Sequence, residues 1–247
     1  MIGLGTLLNM AAIVIGAAIG VLVGHRLPER TRLLITQALG LVTLVIAALN
    51  VVDLLDADWI ADVGSAAPLL IVLGSVVIGG IIGSLLRLEE RVEQLGGWVQ
   101  AKVGRSDDSG SRARFIEGFV DASLLFCIGP LAILGSLSDG LGRGIDQLAL
   151  KSVLDGFASI AFAASLGWGV AFSAISVGIV QGLFTVLGAL VGAVLAASAI
   201  AAITATGGVL LIGVSLRLLQ LSRIAVADLL PALVIAPLLT LAVARWA

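Results

Sequence analysis

Few side chains in this sequence can do chemistry, and their spacing is informative. Glu117 and Asp121 are four residues apart, as are Lys151 and Asp155, so each couple shares one helix face. Asn9 and Gln181 are carboxamides set in apolar runs, and Cys127 stands just before Gly129-Pro130, with Ser136 one and a half turns further on. A carboxylate inside hydrocarbon costs a few kcal/mol or more unless it faces a cavity or a partner, so Asp121 and Asp155 are candidates for a cation or proton route. Blander readings stand beside this one. Glu117 and Asp121 can be solvated at a helix N-terminus and favoured by its dipole. Lys151 and Asp155 can form a local outer-face salt bridge, although Lys before Asp is the poorer order. Asn9 and Gln181 either share a polar site or bond across helices for about 0.6–2 kcal/mol each. Cys127 reads most simply as a small buried apolar residue, and Asp228 as the N-cap of a last helix.

Other chemistry is limited by what is present. His25 is the only histidine, which excludes di-histidine metal ligation, bis-histidine haem and most triads. No enzyme activity, metal or cofactor is expected. With 14 Lys+Arg against 16 Asp+Glu there is no basic excess for a phosphate backbone, so no nucleic-acid partner is expected. The single cysteine precludes an internal disulfide.

The elements that must hold these residues follow from composition. Of the 247 residues 60% are hydrophobic and 12% charged, with a mean hydropathy of +1.18, far from the balance of a soluble domain. The chain reads as an all-α, polytopic transmembrane helix bundle in a lipid bilayer, since about 20 apolar residues cross about 30 Å of hydrocarbon. Eight spans are predicted, at 3–24, 33–52, 66–86, 116–137, 151–168, 173–197, 204–221 and 228–246. The fifth is short. In the fourth, Gly129-Pro130 predicts either a mid-membrane break that exposes helix ends to a solute or a kink that only shapes packing.

Met1 lies almost directly against the first span and the positive cluster from His25 to Arg32 follows it, so an uncleaved first helix is expected with its N-terminus outside. Only Arg143, Lys151 and Arg245 then fall outside, with every other Lys and Arg on the cytoplasmic side of a bacterial inner membrane. Asp53 to Asp62 is an acidic outer loop. Trp59, Trp98, Trp168 and Trp246 fall at span ends or flanks, where amphipathic rings prefer to sit. Leu88, Val92, Leu95 and Val99 predict an amphipathic cytoplasmic helix, followed by a flexible linker over 105–111.

The ends of the chain resemble each other. Ile13 to Gly20 aligns with Thr185 to Gly192, which sets Asn9 on Gln181. Gly40 to Val52 then aligns with Gly207 to Leu219, and Pro68 with Pro231. Five spans separate the copies, so they insert in opposite directions, an inverted internal repeat of the kind that builds transporters. The predicted divisions are a first three-span repeat at 1–86, the cytoplasmic helix and linker at 87–114, a central pair of spans at 115–172 and a second three-span repeat at 173–247. Gly16, Gly20 and Gly24, Gly79 and Gly83, and Gly188 and Gly192 form GxxxG steps for close backbone packing, within the chain or in a homodimer.

At these residues the chain resembles a bacterial integral-membrane family of unknown function, domain-of-unknown-function family 554. The resemblance covers nearly the whole chain. It rests on Gly5 to Asn9 with the glycine ladder, His25 to Pro28, Phe126 to Ser136 with Asp139-Gly140, Phe162 to Val170, and Leu229 to Leu233. It implies a membrane protein, sometimes described as a transporter, and supplies no substrate. The family pattern has a Glu where this chain has Ser84, so no carboxylate role carries to that position.

Together these features predict a membrane transporter or channel for a small solute or ion, cation- or proton-coupled, using Asn9, Asp121, Cys127, Gly129, Pro130, Ser136, Lys151, Asp155 and Gln181. The alternative is a membrane structural or accessory protein that binds partner proteins through its glycine faces.

Overall fold

A computed structural model describes residues 2–24, 27–103, 109–127, 130–191, 196–222 and 224–246. His25, Arg26, Gly129, Gly192, Arg223 and the linker residues 105–108 lie outside these, as does the side chain of Pro130. Among the described residues every regular element is helical. The order is α1 (Leu4–Gly24), α2 (Glu29–Val51), a 3-10 turn (Val52–Leu55), α3 (Ala57–Val63), α4 (Ala67–Leu86), α5 (Leu88–Val103), α6 (Ser109–Cys127), α7 (Pro130–Gly140), α8 (Asp146–Leu166), α9 (Gly169–Val191), α10 (Ala197–Leu218), a second 3-10 turn (Val226–Leu229) and α11 (Ala232–Ala244).

Seven of these segments are long and apolar enough to cross a membrane, or eight if α6 and α7, bent by 64° at their break, form one span. Many of their large side chains point away from the protein, among them Leu22, Leu34, Leu85 and Leu190. Lipid is the solvent that accepts such a surface.

Several expectations are corrected. The fifth span is not short: α8 begins at Asp146 and runs for 21 residues. Its first turns carry Asp146 and Lys151, which hides their length from a hydropathy reading, yet Lys151 is neutralised within the helix by Asp155. The acidic stretch after α2 is no plain loop. Asp56 accepts a hydrogen bond from the Trp59 N–H at 2.8 Å and so caps α3, a short helix that ends at Gly64 with φ of +87°. That helix carries Trp59 to full burial instead of to an interface. The predicted linker is shortened too, because α6 starts at Ser109.

The chain forms two compact units drawn from alternating stretches, residues 1–39, 92–127 and 131–194 in the first and 40–91, 128–130 and 195–247 in the second. In the first, α1 packs most extensively on α8, and α9 packs on both α1 and α6. Gly5 faces Leu148, Gly16 faces the Gly156 carbonyl and Gly24 faces the Ala164 carbonyl, so α1 and α8 run parallel with their backbones nearly touching. A methyl group on Gly16, Gly20 or Gly24 would meet α8 main chain. The ladder is thus used inside the chain, where small residues allow dispersion contact between backbones. Gly188 likewise faces the Leu137 carbonyl of α7.

In the second unit α10 is central: 78% of its apolar window is buried, against 17–44% in the other candidate spans. It is rich in Ala and Gly, so neighbours approach it on every side. Trp59, Val63, Ile71, Val72, Ala201, Ala202, Ala205 and Ala236 form its core. Gly208 abuts the Ala47 carbonyl, and the Ser215 hydroxyl donates to the Gly40 carbonyl at 2.7 Å, so α10 and the later part of α2 are antiparallel. Gly79 and Gly83 lie against the Ala232 and Asp228 main chain.

Candidate functional site

Asp155 is the centre of the buried polar groups in the first unit. It sits mid-way along α8 and is 6% exposed. The Lys151 ammonium lies 2.8 and 3.0 Å from its two carboxylate oxygens. From α1, the Asn9 amide Nδ2 donates to Asp155 Oδ2 at 2.9 Å. An ionised carboxylate only accepts, so the amide nitrogen must face it, and the Asn9 carbonyl oxygen is turned elsewhere. That oxygen is buried and has no partner. Helix spacing explains the cluster: Lys151 and Asp155 share a face through their interval of four, and the α1–α8 register brings Asn9 to the same level.

Gln181 reaches the same region from α9. The Thr6 and Thr185 hydroxyls meet at 3.5 Å and Gly178 abuts Met10, so α9 runs antiparallel to α1. One turn from the threonine contact, on the matching face of each helix, come Asn9 and Gln181. Both are wholly buried. The Gln181 carboxamide has no hydrogen-bond partner at either end, nor has the Ser159 hydroxyl one turn along α8 from Asp155. Buried amides without partners cost about 1–3 kcal/mol, so their persistence calls for an occupant such as water or a solute.

The other predicted residues fall in different places. Cys127, at the end of α6, is half-buried and close enough to Lys151 and Asp155 to feel both charges. The last residue of α6 therefore lies near the ion pair; Gly129 is outside the described residues. Asp121 is wholly buried on α6. Ser136 is buried on α7 and its hydroxyl donates to the Ala132 carbonyl, so it serves its own helix. Among the described residues no three His, Cys, Asp or Glu side chains converge as metal ligands.

Two polar devices have no counterpart in the sequence reading. Asp139, at the end of α7, accepts from the Gly3 and Gly5 backbone N–H groups, each at 3.1 Å. It thereby caps α1, whose first-turn donors have no intrahelical partner. In the second unit Asp228 accepts from the Glu89 N–H at 2.9 Å and so caps α5, where the sequence had suggested a cap for its own span. Glu89 returns the favour by accepting from the Ala227 N–H at 2.7 Å and pairing with Arg217. No local sequence signal could have found either device, since their partners are more than 120 residues away in sequence.

Comparison with known proteins places this architecture. The chain matches the family described as "Protein of unknown function (DUF554)" over residues 4–241. It is 30% identical over 243 residues to the uncharacterized protein YqgA of Escherichia coli strain K12, covering 98% of each chain. It is 29% identical over 233 residues to the uncharacterized membrane protein YdfK of Bacillus subtilis strain 168, covering 94% of this chain and 93% of the relative. No solved structure matches. With its apolar helices and its match along nearly the full length, the chain is a multi-pass membrane protein and belongs to the DUF554 family.

Proposed function

We propose that the protein moves a small solute or ion across the bacterial inner membrane, with the Asn9–Lys151–Asp155–Gln181 cluster as its binding site and cation or proton coupling through the carboxylates. The observation that carries this reading is the buried ion pair on α8, accompanied by an Asn9 carbonyl oxygen and a Gln181 carboxamide that hydrogen-bond nothing in the protein. A helix bundle that only needed to pack in lipid would be cheaper without either, because removing charge and amide from hydrocarbon saves several kcal/mol. The glycine-lined contact of α1 on α8 and the bent α6–α7 segment are features that also suit a helix assembly able to rearrange around a site.

The helix directions are those an inverted repeat requires, which supports the same reading. Its three pairs of counterparts are α1 with α9, α2 with α10 and α4 with α11. Each pair packs side by side and antiparallel, through Thr6–Thr185, Gly40–Ser215 and Gly79–Ala232 with Gly83–Asp228. In the first unit α1 is parallel to α8, while α9 is parallel to α6 through Phe115–Gly169 and Ser123–Ser176. This is the pattern that a twofold exchanging α1 with α9 and α8 with α6 requires. The positive-inside bias puts the N-terminus outside.

The test is uptake. Protein reconstituted in liposomes is offered a mixed pool of small polar metabolites and alkali salts, and the contents are assayed by mass spectrometry and ion analysis. We expect at least one solute to enter beyond the empty-liposome control, and Asp155→Asn to abolish its entry; Asp121→Asn reports on the second carboxylate. Entry that is unchanged by Asp155→Asn rejects this site, and no entry of any solute rejects transport.

A further inference from the structure

Building on the transport reading, we propose that the Lys151–Asp155–Asn9–Gln181 cluster takes a small zwitterion of the α-amino acid class, exchanging its internal ion pair for two pairs with the solute. The argument begins with charge. The Lys151 and Asp155 side chains are only 8% and 9% exposed, and their opposite charges cancel. Adding a lone cation or a lone anion to a neutral buried pair leaves one charge uncompensated, which is the expensive state in a low dielectric. A solute that carries both signs leaves none. Its carboxylate replaces Asp155 beside the Lys151 ammonium, and its ammonium replaces Lys151 beside the Asp155 carboxylate. In an α-amino acid one carbon separates the two groups, which matches two side chains one helix turn apart.

The second observation is the set of polar atoms left over. An ammonium has three donors, and Asp155 need not take them all. The Asn9 carbonyl oxygen, buried and without a partner, is held next to Asp155 by its own amide nitrogen and can accept another. A carboxylate offers about four acceptor sites, and Lys151 leaves some of them open. The Gln181 Nε2 donors and the Ser159 hydroxyl are likewise buried without a partner. The orphaned groups thus include both acceptors and donors, as a solute with both ends needs and as a bare metal ion does not. Asp139, another buried carboxylate of the unit, is committed to the Gly3 and Gly5 backbone N–H groups. Solute size follows from packing. Gly16 meets the carbonyl of Gly156, the residue after Asp155 on α8, so α1 and α8 leave room only for a small side chain.

Calorimetric titration of the purified full-length protein in detergent tests this with glycine, alanine and serine. Acetate and methylamine, each of which keeps one charged end of glycine, are the controls. We expect the amino acids to bind and the two controls not to. Lys151→Met should weaken glycine binding at least about tenfold, the loss of one charge-assisted hydrogen bond, and should open the site to methylamine. Asp155→Asn should do the reverse and admit acetate. A purely structural ion pair produces no such swap of preference. Lys151→Met/Asp155→Asn, neutral like the wild type, serves as the folded control and should bind none of the five. Acetate or methylamine binding the wild type as tightly as glycine overturns the proposal, as does the absence of binding by all three amino acids. If the amino acids fail while uptake still depends on Asp155, only the zwitterion class falls; if uptake fails as well, the transport reading falls with it.

Discussion

The two units of the molecule handle buried polarity in opposite ways. In the second unit the charged groups sit at helix ends and close on each other: Asp228 takes the Glu89 N–H, and Glu89 takes Arg217 and the Ala227 N–H. Its interior is Trp59 and a bed of alanines, and its buried polar atoms without partners are scattered single donors, the Trp59 indole and the Thr206 and Thr240 hydroxyls. In the first unit an ion pair lies within the length of α8, and the groups without partners include the Gln181 carboxamide, the Asn9 carbonyl oxygen and the Ser159 hydroxyl. Ion pairs that finish their hydrogen bonds on backbone hold a fold together. Ion pairs left beside unanswered donors and acceptors mark a place for something else.

Breaking each pair sharpens this contrast. The largest effect is expected from Lys151→Met, which leaves Asp155 buried with Asn9 alone to answer it. We expect a loss of about 3–5 kcal/mol in detergent unfolding, most of it recovered in Lys151→Met/Asp155→Asn because a neutral pair leaves no orphaned charge. Glu89→Ala in the second unit removes the Arg217 pair and an acceptor for Ala227. The Arg217 and Glu89 side chains are 16% and 14% exposed and partly reached by solvent, so about 2–3 kcal/mol is expected, with uptake retained. Equal losses and equal loss of uptake in the two cases would erase the distinction between the units. The smallest effect separates two glycines of the first unit. Gly20→Ala drives a methyl onto the Ile160 carbonyl and should cost about 1–3 kcal/mol. Gly182→Ala on α9 meets nothing within 4 Å and should be neutral or stabilising by up to about 1 kcal/mol in the same measurement.

Local arithmetic explains what could be read from the sequence. The spans follow from runs of apolar residues, the Lys151–Asp155 pair from an interval of four, and the interruption between α6 and α7 from Gly129-Pro130 chemistry. The long-range facts could not be read in that way. Asn9 meets Asp155 across 146 positions, and nothing in either helix alone specifies the partner. Alignment of the chain ends sets Asn9 on Gln181, and the antiparallel contact of α1 with α9 puts each of them one turn from the Thr6–Thr185 contact. Charge near a span end misled twice. Asp146 and Lys151 hid the first turns of α8, and Asp228 was assigned to its own helix although its carboxylate serves α5. Trp59 misled for a related reason: an aromatic at a span end normally marks the interface, but here the intervening α3 folds it inward.

The parallel pairing of α1 with α8 has a consequence for biogenesis. When the ribosome finishes Gly24, the strip of bare main chain along Gly16, Gly20 and Gly24 has no mate, and its mate is not made until translation reaches Asp146 and beyond. At about 5–20 residues per second the first helix waits on the order of ten seconds with that strip turned to lipid or to the insertion machinery.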